Sequence, residues 1–343
     1  MNIAFIHYRV GETDGVSLEM DKWKNILDKQ GHNTFYIAGS KGTTEAFVIE
    51  EMYYRDAFAD KINNNCYVEL KDFTEEELIE VVETRAKVIE DKLIKIIEEN
   101  NIDIIVPNNV LSLGWNVPVG LGVVNAIKES NVKVINHHHD FYWERTLYSN
   151  PTIEYVKNLL DTIYPPQCFA DNMSHVVINS LAQTDLKNRK ALESTVVPNV
   201  FDFKADLWAE DEFNKTFKDD LGIKEDELLF LQATRVTNRK GIELAIDVIA
   251  ELNKKENMEK LNGKTIVLAL VGLHEGFENY EDKLINHAKG LLGESDKFQG
   301  SFRGTLGHTF GHRVLSNTKV LFLREWVWVQ QSLSYDLISH TMT

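Results

Sequence analysis

The stretch LLFLQATRVTNRKGIELAIDVIAEL, from Leu228 to Leu252, decides the fold. It begins as an apolar strand and ends as an amphipathic helix, the βα step of an alternating architecture. Arg235, Arg239 and Lys240 stand at the junction, followed by Gly241. A helix N-terminus carries free N–H groups and a partial positive charge, so it favours anions and disfavours cations. Cations at that end make physical sense if an anion, such as a diphosphate, sits between them. On the residues alone, a solvated basic loop is the plainer alternative.

The same alternation runs outward in both directions. NIAFIHY is an apolar strand, GETDGVS (Gly11–Ser17) a turn-rich loop, and LEMDKWKNILDKQG a helix with Leu18, Trp23, Ile26 and Leu27 near one face. NTFYIAG follows as a second strand, which makes a βαβ unit and a parallel sheet. Thr74 and Glu77 form a capping-box pattern. They open a long helix whose expected inward stripe is Leu78, Val82, Ile89, Leu93 and Ile96. DIIVPNN, KVINHHHD and HVVINS are further strands, and Ser180 is placed to cap the helix that follows. After Pro198 and Asn199 the pattern restarts, with a strand over 228–234, a helix over 241–255, the strand KTIVLALVG and a helix near 278–292. This predicts an α/β fold of two doubly wound, Rossmann-like domains with a cleft between them, ligands binding beyond the strands' carboxyl ends. The expected boundaries are 1–198, a partial second domain over 199–300, and an atypical tail over 301–343.

The tail holds two acidic residues, Glu325 and Asp336, where the chain's 53 in 343 would place about six or seven. LFLREWVWVQQSLSY is apolar and aromatic, and no βαβ pattern is expected there. The change of composition implies a truncation or frame shift near residue 300, with Trp326 and Trp328 covering an exposed sheet or promoting aggregation.

A formal net charge of −16 argues against a nucleic-acid binder, which needs a basic face. Cys66 and Cys168 are the two cysteines and have no metal-like spacing, so a reducing compartment, the cytoplasm, is expected. The first ten residues read as a strand rather than a signal peptide, and no apolar run reaches membrane-spanning length. Peripheral membrane association stays open.

RVTNRKGIELAID, VVPNVFD, VVINSLAQTDL and HHHDFYWE, in this family of motifs, resemble the family 4 glycosyltransferases of GT-B fold over about residues 1–300. The resemblance implies a nucleotide-sugar donor as substrate, no separate cofactor, and a carbohydrate or other hydroxyl acceptor bound by the N-terminal domain. An Arg and a Lys in an R-x(4–5)-K-G pattern hold the donor diphosphate, which maps them onto Arg235 and Lys240. The interdomain segment maps onto Pro198, Asn199 and Asp202, with Val200 where Gly is usual. The glycine-bearing loop, with Gly15, is placed beside the donor phosphates. It is not G-x-G-x-x-G, which weakens a dinucleotide reading.

HHHDFYWER follows a strand end at residues 137–145. Adjacent residues on an extended chain point to opposite faces, so three consecutive histidines do not converge on one metal. The resemblance aligns His139 and Asp140 with an HD pair in which the His contacts the donor sugar. Asp140, Glu144 and Asn109 are the acceptor-binding candidates. Arg145 either joins them or forms a surface pair with Glu144, and Asn108 and Asn109 read equally well as loop formers. Glu275-Gly276-Phe277 matches part of the family's EGFG donor loop but lies too early in the chain to be counted.

The expected activity is transfer of a sugar to a hydroxyl acceptor with retention, in carbohydrate biosynthesis. His139, Arg235 and Lys240 are its catalytic residues and no metal takes part. Two alternatives stand beside it: a catalytically incompetent relative acting as a binding module, and a nucleotide-sugar epimerase of the same fold. With half the donor pocket missing beyond residue 300, weak donor binding and little activity are expected of this chain.

Overall fold

The computed structural model describes residues 1–12, 14–53, 55–166, 172–201, 203, 212, 215–220, 223–252, 254–271, 280–292, 302–303, 309–310 and 319–323. Cys168, Asp202, Glu275, Glu325, Trp326, Trp328 and Asp336 lie outside them, and with them the expectations placed on the tail's tryptophans and acidic residues. The chain divides into two units, Met1–Phe203 and Lys204–Thr343.

The first unit is built on a seven-stranded sheet. Its elements are β1 (Asn2–Val10), α1 (Gly15–Lys29), β2 (Asn33–Lys41), β3 (Phe47–Val48), α2 (Ala57–Tyr67), α3 (Glu75–Glu99), β4 (Ile104–Pro107), α4 (Val117–Ser130), β5 (Lys133–His138), α5 (Glu154–Ile163), β6 (Met173–Val177), α6 (Ser180–Lys190) and β7 (Thr195–Val196). The order is β3-β2-β1-β4-β5-β6-β7 and every pair is parallel. Ile3 pairs with Thr34 on one side and Ile104 on the other. The strand order reverses between β1 and β4, and such switch points open a crevice beyond the strands' carboxyl ends. Central strands of parallel sheets are covered on both faces, which is why β1 reads as a near-continuous apolar run.

One sheet face buries Ala4, Ile6, Ile105 and Val134 against Leu78, Val82, Ile89, Leu93 and Val123 of α3 and α4. The other buries Ile3, Phe5 and Val106 against Met20 of α1, with Val16, Trp23 and Leu27 half-buried beside it. Thr74 and Glu77 close the expected capping box on α3. Three local expectations are corrected. Ile26 points outward at 52% exposure while Met20 is at 1%. The last buried position of α3 is Ile97, with Ile96 half-buried. Asn179, not Ser180, caps α6, its Oδ1 accepting the Ala182 N–H at 2.8 Å.

The second unit holds α7 (Phe217–Asp220), β8 (Glu227–Ala233), α8 (Ile242–Leu252), α9 (Lys255–Met258), β9 (Thr265–Val271), α10 (Tyr280–Leu292), a two-stranded pair of β10 (Phe302–Arg303) and β11 (Thr309–Phe310), and β12 (Lys319–Leu323). Its sheet runs β12-β9-β8, all parallel, and Ile242, Ile246, Ile249, Leu284 and Ala288 pack with Ile266, Leu268 and Leu270. β12 corrects the expectation that no βαβ pattern persists beyond residue 300. A parallel strand reads as a short continuous apolar run, here VLFL, which carries no period to detect.

Candidate functional site

The carboxyl ends of β1, β4 and β5 bring His7, Asn108, Asn109 and His139 together at the switch point. Asn108 continues β4 by a bridge to His137, and its N–H donates to Ile6 O at 2.8 Å. Asn109 sits in the left-handed region at φ 61°, which Asn adopts more readily than most residues. The turn is closed by the Asn109 N–H on His137 O at 3.1 Å and the Ser112 N–H on Asn109 O at 3.2 Å. Asn109 Oδ1 then accepts two backbone N–H groups, from His139 at 2.8 Å and Asp140 at 3.1 Å. Its side chain therefore clamps the loop that carries His139.

Asn108 is equally committed. Its Nδ2 donates to Val106 O at 2.8 Å, its Oδ1 lies 3.2 Å from His139 Nε2, and its carbonyl accepts from His7 Nδ1 at 2.8 Å. Both asparagines are buried, at 1% and 3% exposure, and neither presents a bare amide at the surface.

The three consecutive histidines split as strand alternation requires. The His137 and His139 rings lie 4.2 Å apart, with Trp23 of α1 4.7 Å from His137. His138 points to the opposite face, where its Nε2 lies 3.0 Å from Nδ1 of His175. Burial drives all of them toward the neutral form: His137 and His175 fall to about 4, and His139 to about 2 with help from His137 and His7. Among the described residues no cluster of His, Cys, Asp or Glu has the geometry to hold a metal ion.

Asp140 pairs with Arg145 at 2.7 Å. Glu144 turns back on its own loop, Oε2 accepting the Phe141 N–H at 2.9 Å, and burial raises its carboxyl above the ordinary value. The surface pair envisaged between Glu144 and Arg145 is thus replaced by Asp140–Arg145.

Gly15 is exposed and begins α1, and a Cβ there would meet nothing within 4 Å. The helix end beside it is already acidic. Asp14 caps it through Val16 N–H, accepts from Ser17 Oγ at 2.5 Å and lies 3.3 Å from Arg9. Burial alone would raise Asp14, yet His7, Arg9, Ser17 and Val16 together hold its carboxyl below the ordinary value. The Asp14–Arg9–His7 group was not read from the sequence. Its signal was present in the alternation of β1, which puts His7 and Arg9 on one face at the strand's end.

In the second unit β8 ends at Ala233, and half-buried Arg235 stands two positions beyond it. Asn238–Lys240 form a 3-10 turn, and Gly241 at φ 61° bends the chain into α8. Lys240 is therefore ahead of the helix, separated from it by Gly241, rather than in it. Its carbonyl accepts from Gln232 Nε2 at 3.1 Å, which ties the turn to the strand end. Arg235, Lys240 and the α8 N-terminus thus belong to one βα junction.

These two arrangements belong to a recognisable class. Residues covering 98% of the chain superpose on sucrose-phosphate synthase from Thermosynechococcus elongatus, at TM-score 0.55, 14% identity and 73% of that chain. WaaG, a glycosyltransferase involved in lipopolysaccharide biosynthesis, gives TM-score 0.53, 13% identity, 97% of this chain and 73% of that one. The fold is GT-B-like, with Rossmann-like α/β units.

In sequence, the similarity is to particular enzymes. The chain is 43% identical over 265 residues to mannosylglucosylglycerate synthase of Petrotoga mobilis, covering 77% of this chain and 60% of that protein. It is 38% identical over 280 residues to the Thermotoga maritima mannosylglucosylglycerate synthase, covering 78% of this chain and 63% of that one. The chain thus spans under two thirds of the length of these relatives. No family model matches. The fold is thus that of GT-B enzymes, and in sequence three quarters of the chain is similar to mannosylglucosylglycerate synthases.

Proposed function

We propose that this protein transfers a glycosyl group from a nucleotide-activated sugar to a hydroxyl acceptor, with retention at the anomeric carbon. The observation that carries the reading is the 43% identity over 265 residues to a mannosylglucosylglycerate synthase. The name of that relative points to a mannosyl donor and a glucosylglycerate acceptor for this chain as well. In the transfer, the bond from the anomeric carbon to the donor phosphate oxygen breaks, a bond to the acceptor oxygen forms, and the acceptor's hydroxyl proton passes to the departing diphosphate. Negative charge develops on the departing diphosphate. Arg235 and Lys240, beside the α8 N-terminus, are assigned its stabilisation, and preorganised charges of this kind form a large part of catalysis. His139 is assigned to the donor sugar, Gly15 to its phosphates, and Asp140, Asn109 and Glu144 to the acceptor side. No helix among the described residues is long and apolar enough to cross a membrane. We place the protein in the cytoplasm, where the buried free thiol of Cys66, pushed up to about 12 by burial, stays reduced; cell fractionation checks this.

The test is product analysis after mixing the protein with glucosylglycerate and nucleoside-diphosphate mannose. Release of nucleoside diphosphate together with a glycosylated acceptor, however slow, is the result expected of a transferase. A new nucleotide sugar without acceptor product would make the protein an epimerase. Binding of the donor without either product would make it a binding module.

A further inference from the structure

We propose that Asn108 is a positioning residue that fixes His139 as the Nε2–H tautomer, leaving the Nδ1 lone pair to accept a hydrogen bond from a sugar hydroxyl. The choice of a sugar hydroxyl rests on the transferase reading; the tautomer does not.

One buried amide sets the tautomer. An asparagine side chain has one accepting and one donating end, and which is which must be read from its partners. Asn108 Nδ2 lies 2.8 Å from Val106 O, a carbonyl that can only accept, so this end is the NH2. The other end, facing His139 Nε2 at 3.2 Å, is then the oxygen. An oxygen without a proton requires a donor opposite it, so Nε2 of His139 carries the proton. In a neutral imidazole the second nitrogen, Nδ1, is left with its lone pair.

The surroundings keep the ring neutral and still. The Asn108 backbone is held by its N–H on Ile6 O and its carbonyl on His7 Nδ1, at 2.8 Å each, and its side chain by Nδ2 on Val106 O. The His139 backbone is held by Asn109 Oδ1. The titratable and charged groups around it are His137, its ring tilted by 39° with centroids 4.2 Å apart, and His7, beyond which stand Asp14, Arg9 and Glu12; Asp140 and Arg145 follow in the chain and pair with each other. Burial and the two histidines all disfavour imidazolium. The site thus presents an acceptor without charge, which reads a hydroxyl as a donor and discriminates against ligands that offer only an oxygen lone pair.

Two readouts test this in the full chain. The first is nitrogen NMR of histidine-labelled protein, with the His139 signal assigned by its loss in His139→Gln. Wild type is expected to show a neutral Nε2–H ring at pH 7. Asn108→Ala is expected to mix the tautomers, with Asn108→Ser as the milder variant if the alanine form does not fold. A neutral Nδ1–H ring in wild type overturns the proposal whether or not the protein is a transferase. The second is the pH profile of transfer. Asn108→Asp keeps an acceptor opposite Nε2 but adds a negative charge that favours imidazolium, which has no lone pair at Nδ1. Its kcat is expected to fall by about tenfold or more near pH 6 and to recover as pH rises through the new His139 pKa, a limb absent from wild type. An unchanged profile, with the NMR signature of Asn108→Ala also unchanged, refutes the positioning role.

Discussion

Nε2 of His138 lies 3.0 Å from Nδ1 of His175, with the two rings within 15° of parallel. One donates and the other accepts, so at least one ring of the pair keeps a lone pair. Both are buried, at 0% and 8% exposure, and on the far side of the His138 ring Nδ1 has no partner among the described residues. Protonation there would place a charge where little can answer it. His137 and His139 on the opposite face are held neutral for the same reason. The carboxyl end of β5 is thus a row of imidazoles whose fold depends on their staying uncharged.

This makes stability pH-dependent with a definite sign. Burial lowers the folded-state pKa of His137 and His175 to about 4 and of His139 to about 2, below the value of about 6.5 in the unfolded chain. The unfolded chain therefore takes up protons first as pH falls. The stability these groups contribute is complete above about pH 6.5 and declines toward pH 4, at up to roughly 1.4 kcal/mol per pH unit for each histidine. Urea denaturation at pH 7.5 and 5.0 should show the midpoint falling at the lower pH. His175→Gln should flatten that dependence; a slope equal to wild type would remove His175 from the account.

The alternation of strands and helices was legible because parallel strands and amphipathic helices carry strong periodic signals. The phase of each helix was less so. In α1 the choice of Leu18 and Ile26 followed side-chain type, whereas Val16, Met20, Trp23 and Leu27 follow the 3.6-residue repeat. In α3 the buried series steps through Ala86 and ends at Ile97, and a small residue such as Ala86 adds little to a hydrophobic pattern. Among the candidate site residues, the sequence marked His139 in the first unit and the Arg235–Lys240 junction in the second. It gave no sign that Asn108 would meet His139, since that contact is made only when β4 and β5 pair, 31 positions apart.

The α6 cap separates the two readings directly. Asn179→Ala removes the acceptor for the Ala182 N–H and should cost about 1 kcal/mol, while Ser180→Ala should change stability by a few tenths at most. Denaturant midpoints for the pair check this. Equal losses, or a larger loss at Ser180, would return the cap to the serine.

Gly122 is where α4 approaches α3. A Cβ there would stand 2.5 Å from the Ala86 carbonyl oxygen and 2.9 Å from Ile89 Cβ. The obstacle is helix backbone, which cannot turn aside, so Gly122→Ala should lose about 1–3 kcal/mol despite the better helix propensity of alanine. Gly290 in α10 is the control, with nothing within 4 Å of the same added atom. Gly290→Ala should be neutral or gain up to about 1 kcal/mol. Thermal unfolding of both variants gives the comparison, and a stabilised Gly122→Ala would mean the two helices separate more easily than their packing implies.

The junction within Leu228–Leu252 can be tested by its affinity for anions. Arg235 follows β8, Lys240 closes the 3-10 turn, and Gly241 at φ 61° delivers the chain into α8. On the assignment proposed above, both side chains and the helix N-terminus hold the anion, each contributing a charge-assisted hydrogen bond or a dipole. Arg235→Ala or Lys240→Ala should therefore weaken nucleoside-diphosphate binding by about 1.5–3 kcal/mol, a loss of roughly 10- to 150-fold in affinity. Lys240→Arg should retain more binding than Lys240→Ala, because the charge is kept even where the geometry changes. Titration calorimetry with nucleoside diphosphates measures the affinities, and circular dichroism confirms that the variants stay folded. Affinity unchanged in both alanine variants would mean that the three cations of this junction serve the turn itself, and that the diphosphate of a nucleotide sugar is held elsewhere.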